Sequence, residues 1–384
     1  MKSKFARVLL PFLVISTAIF ILMQSPMAFG SDLPNTIGCE DNNTGCEPNT
    51  ESADLSNVTY MGRFDFSDPE GPQFSWSAST LKADFKGTSI AIKLKRYNSW
   101  HDNYIGAVID GGELIKIKIA EDGTFDIQSE LSNDTHTIEI IKMDEGMSGD
   151  LQFLGFEIEN GKLLAPPPES EHKIEFIGDS ITCGYGIETD DPEAEWDSSL
   201  CNTYKAYPAI TARALDADFT TICWSGTGVY RTWEEDMENV MPVQYWRTLS
   251  KDPENLWEFE GEDPQILVIN LHTNDFSPGI PDRQAFTDAY KNFIKKIRVE
   301  YPETYIYCVV GGMISGEKLE SAREYIQNGV VGDIKNEGDS NIGYFEFSEH
   351  KEEYGYGGSW HPSAIQHQAM ADELVERIKE DFNW

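Results

Sequence analysis

The chain has 384 residues, enough for two or three domains, and it is 40% hydrophobic and 12% aromatic, which excludes wholesale disorder. Acidic residues number 66 against 30 Lys and Arg, a formal net charge of −36. Such a charge repels phosphate backbones and anionic bilayers, which argues against nucleic acid and lipid surfaces as partners and for a highly soluble protein.

Lys2, Lys4 and Arg7 precede an apolar run over 8–23, and Ala28-Phe29-Gly30 offers a small-x-small cleavage site. The run is short for a spanning helix of about 20 residues. Residues 1–30 are therefore expected to be a signal peptide cleaved after Gly30 rather than an anchor, which makes the protein secreted or periplasmic. Residues 31–56 are rich in Asp, Asn, Thr, Ser, Glu and Pro and read as a flexible acidic and polar linker. Export permits disulfides. Cys39 and Cys46 are close enough to pair locally, whereas Cys223 and Cys308 lie in apolar runs and read as small core residues. There is no C-x-x-C, so zinc-ribbon and thioredoxin-type readings fail.

From 57 to 165 the texture is one of short alternating segments. Strands are expected over 81–85, 89–94, 104–110, 114–119, 137–141 and 151–158, separated by turns such as Asp110-Gly111-Gly112 and Asp122-Gly123. That spacing predicts an antiparallel β-sandwich. Ala165-Pro166-Pro167-Pro168 forms a stiff break. Over 171–384 strands alternate with helices. Strands are expected over 174–177, 219–223, 266–269, 305–310 and 344–347. Helices are expected over 204–215, 282–301, 319–328 and 363–382. The pattern predicts an α/β/α domain with a mostly parallel sheet, whose site lies at the carboxyl ends of the strands.

Four loops follow those strands: Gly178-Asp179-Ser180, Trp224-Ser225-Gly226, His272-Thr273-Asn274 and Trp360-His361-Pro362 just before the last helix. Each is bland alone. Ser180 reads as a helix cap and Asn274 as an Asx-turn residue. Together, at one sheet edge, they could supply a serine nucleophile, a histidine base and oxyanion donors.

These four blocks, in this order, resemble the SGNH (GDSL-type) esterases. The longer matches Gly178-Asp179-Ser180-Ile181-Thr182-Cys183-Gly184-Tyr185-Gly186, Tyr204-Lys205-Ala206-Tyr207-Pro208 and Cys223-Trp224-Ser225-Gly226 resemble carbohydrate esterase family 2, the acetylxylan-esterase-like deacetylases. Gly62-Arg63-Phe64-Asp65-Phe66 fits that family's jelly-roll β-sandwich domain, so the resemblance covers about 57–384. It implies Ser180 as nucleophile and His361 as base. It also implies an oxyanion hole from the backbone N–H groups of Ser180 and Gly226 with the Asn274 amide. Trp360 would stack on a sugar ring, and no metal or organic cofactor is needed. The expected substrate is an acetylated polysaccharide such as xylan or glucomannan. Alternatives are a broad GDSL-type carboxylesterase or lipase, and a non-catalytic carbohydrate-binding protein.

Two positions depart from the pattern. His272 stands where the third block usually begins with Gly, and is read as a tolerated substitution rather than a pocket-rim residue. Gly358 and Ser359 stand where SGNH enzymes usually carry the Asp that orients the histidine. Some members of family 2 use a backbone carbonyl instead, so the Ser359 carbonyl is the expected acceptor for His361, with Asp275 and Glu349 as remote acids left open. The acidic run over 188–197 reads as a solvated loop.

Overall fold

The computed structural model describes residues 55–259, 261 and 263–384. The expected signal peptide, the linker up to its last two residues and the Cys39–Cys46 pair lie outside the described residues.

Ten strands come first: β1 Thr59–Met61, β2 Gln73–Phe74, β3 Thr80–Gly87, β4 Ser89–Tyr97, β5 Asn103–Ile109, β6 Ile115–Ile119, β7 Gly123–Gln128, β8 Asp134–Lys142, β9 Asp150–Glu159 and β10 Lys162–Leu163. They form two antiparallel sheets. One has the order β1-β3-β8-β5-β6, with β10 added to β3, and the other is β2-β9-β4-β7. The period-2 pattern drives the packing. Leu81, Ala83 and Phe85 of β3 and Ile138 and Ile140 of β8 point one way and meet Ile90, Ile92 and Leu94 of β4 and Phe153, Phe156 and Ile158 of β9. A side chain of this size contributes about 1.5–3 kcal/mol when buried. β7 escaped the sequence reading because it is an edge strand with one buried residue, Ile127. β1, β2 and β10 have only two or three residues each, too few to show a period.

Residues 164–171 contain no regular element. Five strands follow: β11 His172–Gly178, β12 Ala217–Cys223, β13 Ile266–Asn270, β14 Tyr305–Val310 and β15 Ile342–Glu346. All their pairings are parallel, in the order β12-β11-β13-β14-β15. Alternate residues serve opposite faces. In β13, Ile266 and Val268 join a core with the helices Tyr207–Ala214 and Ala364–Phe382. Leu267 and Ile269 join a second core with the helix Arg283–Glu300. This is the three-layered α/β/α arrangement.

Two helices differ from expectation. The helix expected over 204–215 is a short 3-10 turn, Thr203–Lys205, followed by an α-helix that starts at Tyr207, because Pro208 restricts the residue before it and fits only a first turn. The helix expected over 319–328 starts at Gly316 and runs on through a π-helical stretch, Tyr325–Gly332, to Asn336. Ile326, Val330, Val331 and Ile334 keep this continuation on the core.

The antiparallel sheet that holds β1, β3 and β8 also packs onto the parallel one. Met61, Ala78, Ile141 and Met143 share an apolar cluster with Ile174, Phe176 and Phe219. The chain that follows β8 is thereby brought to the carboxyl edge of the parallel sheet, where the Thr203 hydroxyl donates to the Lys142 carbonyl at 2.8 Å.

Candidate active site

At the end of β11, Asp179 is extended (φ −109°) and its Oδ1 accepts the Ile181 N–H at 3.0 Å, starting the short helix Ser180–Cys183. Ser180 is its first residue, so its own N–H has no acceptor within that helix. Gly178 is required here: a Cβ would lie 2.0 Å from Thr182 Oγ1. Cys183, at the end of this turn, is disulfide-bonded to Cys223, the last residue of β12. The reading of Cys223 as a free core residue is thus corrected: the parallel pairing of β11 and β12 brings the two Cα atoms within 5.7 Å. Cys308 is a free, buried thiol, as expected.

His361 reaches Ser180 across two loops that touch backbone to backbone. The Gly358 N–H donates to the Gly186 carbonyl at 3.0 Å. Gly186 has φ +79°, and a Cβ there would lie 2.7 Å from the Gly358 carbonyl oxygen. This approach leaves His361 Nε2 2.8 Å from Ser180 Oγ. His361 Nδ1 lies 3.1 Å from each of the Gly358 and Ser359 carbonyl oxygens. Carbonyls only accept, so Nδ1 carries the proton and Nε2 is free to accept from the serine hydroxyl. Burial pulls the His361 pKa down to about 4, against the opposing pull of those two carbonyls, so the ring is neutral at pH 7.

The two carbonyls converge because Ser359 and Trp360 are both left-handed, at φ 50° and 60°. Such a conformation costs non-glycine residues of order 1 kcal/mol each and needs external support. Ala194 supplies it: its carbonyl accepts the Ser359 N–H at 3.1 Å and the Ser359 hydroxyl at 3.0 Å. Tyr185 adds a hydrogen bond of 2.8 Å to Ser359 Oγ and sets its ring edge-on to His361 at 4.5 Å. The run over 188–197 is therefore solvated only in part. Asp275 is spent elsewhere, accepting the N–H groups of Val229, Tyr230 and Arg231.

Gly226 lies in the loop after β12 with φ +80°. Asn274, buried in the short helix Thr273–Phe276 that follows β13, joins three loops: its Nδ2 donates to the Thr227 carbonyl at 2.9 Å and to Asp179 Oδ2 at 3.2 Å. Burial, reinforced by the charge of Asp275, raises Asp179 to about 7. His272 is fully buried and accepts the Gly311 N–H at 3.3 Å, away from any pocket rim. Burial lowers its pKa to about 4.

Trp360 is 52% exposed beside His361 and meets Tyr356 edge-on at 5.1 Å. Trp224 packs against the core. The sequence reading missed Trp233, which is exposed and lies over Gly226; a Cβ on that glycine would be 2.7 Å from the indole. A cavity of about 250 Å³ opens beside them, lined in part by Thr232, Asp236 and Asn239. Also missed were Tyr185, Ala194 and the Gly358 carbonyl. Another cavity, of about 510 Å³, is lined in part by Thr59, Glu169 and Asp218 and contains none of these residues. Among the described residues no cluster of His, Cys, Asp and Glu could hold a metal ion, and no helix is long and apolar enough to cross a membrane.

Residues 60–168 match the carbohydrate esterase 2 N-terminal family, and residues 176–369 match the GDSL-like lipase/acylhydrolase family. The chain is 40% identical over 336 residues to the cellulase/esterase CelE of Acetivibrio thermocellus, covering 87% of this chain but only 41% of that protein. It is 27% identical over 341 residues to an acetylxylan esterase / glucomannan deacetylase of Cellvibrio japonicus, covering 87% of this chain and 92% of that one. Among solved structures, it superposes on a family two carbohydrate esterase from Clostridium thermocellum in complex with cellohexaose with a TM-score of 0.82. That match has 40% identity and covers 85% of this chain and 99% of the other.

Proposed function

The chain belongs to carbohydrate esterase family 2, and from that premise we propose that it is an exported serine esterase that removes O-acetyl groups from polysaccharides of the acetylated xylan or glucomannan type. The single observation that carries this reading is the 2.8 Å contact between Ser180 Oγ and His361 Nε2, made with His361 Nδ1 turned onto two carbonyls.

In the proposed reaction His361 Nε2 takes the Ser180 proton as Oγ attacks the acetyl carbonyl carbon. The developing oxyanion is received by the N–H groups of Ser180 and Gly226 and by Asn274 Nδ2, which shares the hydrogen it holds toward Asp179 at 3.2 Å. One such donor is typically worth about 3 kcal/mol, or a hundredfold or more in rate. The Gly358 and Ser359 carbonyls fix the tautomer and face the imidazolium that forms, although a neutral carbonyl stabilises it less than a carboxylate does. The sugar hydroxyl leaves with the proton from Nε2. Water then attacks the acetyl-serine, with His361 acting as base again. Every step uses groups of this chain, without a cofactor. Trp360 is placed in the sugar-binding role because its exposed ring adjoins the base. The substrate class rests on the names of the relatives, and export rests on the charge and apolar pattern of residues 1–30.

The test is acetate release from acetylated xylan and acetylated glucomannan by the parent chain and by Ser180→Ala. Release abolished in the variant is expected. Release that persists in the variant sinks the nucleophile assignment. Rapid cleavage of an aryl acetate with no release from either polymer moves the substrate to another glycan.

A further inference from the structure

The loop that carries Gly226 is held from outside the parallel sheet. Glu145 follows β8 in the antiparallel part of the chain and is fully buried. Its carboxylate faces the end of β12. Oε2 accepts the Ser225 N–H at 2.9 Å, and Oε1 accepts the Ser225 hydroxyl at 2.6 Å and the Trp196 indole N–H at 3.3 Å. The nearby cation does not pair with that carboxylate. The Lys142 ammonium donates to the Asp144 carboxylate and to the backbone carbonyl of Glu145. A carboxylate buried without a counter-charge is costly unless its lone pairs are filled. Here the filling donors are chiefly the two of one residue, Ser225. Burial pushes the Glu145 acid up, and the Ser225 bonds pull the other way.

Ser225 immediately precedes Gly226, and the peptide between them carries the Gly226 N–H. Three contacts hold the peptides on either side of it: Ser225 N–H to Glu145, Thr227 N–H to the Trp224 carbonyl at 3.3 Å, and Trp233 N–H to the Gly226 carbonyl at 3.0 Å. The last two are local to the loop. Asn274 Nδ2 holds the Thr227 carbonyl on the far side, but among the contacts of Ser225 and Gly226 only the Glu145 tie reaches a different part of the fold. The loop's φ of +80° at Gly226 allows the peptide to rotate if that tie is lost.

We propose that Glu145 is a positioning residue for the esterase reaction: by accepting both donors of Ser225, the antiparallel part of the chain sets the direction of the Gly226 N–H at the oxyanion hole. This rests on the oxyanion-hole reading above. It gives the N-terminal sheets a part in the chemistry besides any part in binding glycan. It also explains why an acidic residue is buried where an apolar one would leave the Ser225 N–H and hydroxyl without an acceptor.

The test measures kcat and KM for an aryl acetate in the full chain and in Glu145→Ala, Glu145→Gln, Glu145→Asp and Ser180→Ala, with near-ultraviolet circular dichroism to establish folding. Glu145→Ala is expected to lower kcat by roughly 30- to 100-fold with KM within about twofold, the signature of an interaction made in the transition state. Glu145→Gln is expected to retain kcat within about fivefold, because its amide oxygen still accepts the Ser225 N–H while its NH₂ donates to the Ser225 hydroxyl. Glu145→Asp withdraws the carboxylate by one methylene, and a fall in kcat of about tenfold or more at constant KM is expected. It carries the test if the alanine variant does not fold. Parent-like kcat in a folded alanine or aspartate variant overturns the proposal, and so does equal loss in the glutamine and alanine variants. Those outcomes leave the site reading intact so long as Ser180→Ala is inert; activity in Ser180→Ala would instead overturn the site reading itself.

Discussion

The acid limb of the pH–rate profile is the sharpest consequence of the site's electrostatics. His361 must be neutral to accept the Ser180 proton, and burial holds its pKa at about 4 rather than 6.5. Between pH 6.5 and pH 5 the neutral fraction of an ordinary histidine falls roughly 16-fold, whereas that of a histidine at about 4 changes by about a tenth. The expected outcome is kcat/KM for an aryl acetate that stays within about twofold over this interval and halves only near pH 4. Stability moves in the same direction and has to be separated from it. His272, fully buried, also has its pKa lowered to about 4. At this group the native state binds fewer protons than the unfolded chain between about 4 and 6.5. The stability this group contributes is complete above pH 6.5 and is lost as pH falls toward 4, about 3 kcal/mol in all for one such histidine. Initial rates after a brief jump from neutral pH, with the folded fraction followed by tryptophan fluorescence, distinguish titration from unfolding. An inflection near 6.5 in protein that remains folded would refute the argument that the base works in a desolvated position between two carbonyls.

Two further outcomes follow from the backbone. Gly186→Ala places a methyl 2.7 Å from the Gly358 carbonyl oxygen at φ +79°. The histidine loop must retreat, and because a 1 Å misplacement can cost about a hundredfold, kcat/KM on an aryl acetate should fall by about that factor or more; a parent-like value would show that this contact does not set the Ser180–His361 distance. The Cys183–Cys223 disulfide closes a sequence separation of 40 residues, so chain entropy predicts that its removal costs about 4 kcal/mol. Urea midpoints of the parent chain and of Cys183→Ala/Cys223→Ala test this, and equal midpoints would dismiss the bridge as a source of stability.

What the sequence could and could not reveal divides along the range of the interactions. The strands and helices were legible because their signals are local: β3 alternates, and the helix Arg283–Glu300 repeats Phe286, Tyr290, Phe293 and Ile297 at helical spacing. Ser180, Gly226, Asn274 and His361 could be singled out because parallel strands deliver their carboxyl ends to one edge, so that four loops far apart in the chain share a neighbourhood. The absence of an acid before His361 was legible too, since Gly358 and Ser359 are simply not carboxylates. What replaces the acid was only half legible. Ser359 was named on resemblance, but the Gly358 carbonyl lies as close, because two successive left-handed residues coil the chain around the imidazole. Non-glycine residues rarely adopt that conformation, and no residue type announces it. The supports are harder still. Ala194 acts through its carbonyl, which every residue possesses, so its identity carries no information. Glu145 sits in a Met-Asp-Glu-Gly segment that reads as an ordinary polar turn. Its meaning depends on the segment after β8 docking at the end of β12, a contact 80 residues away in the chain. A carboxylate is informative only when its burial is known, and burial is a property of the packed sheets rather than of the segment that contains it.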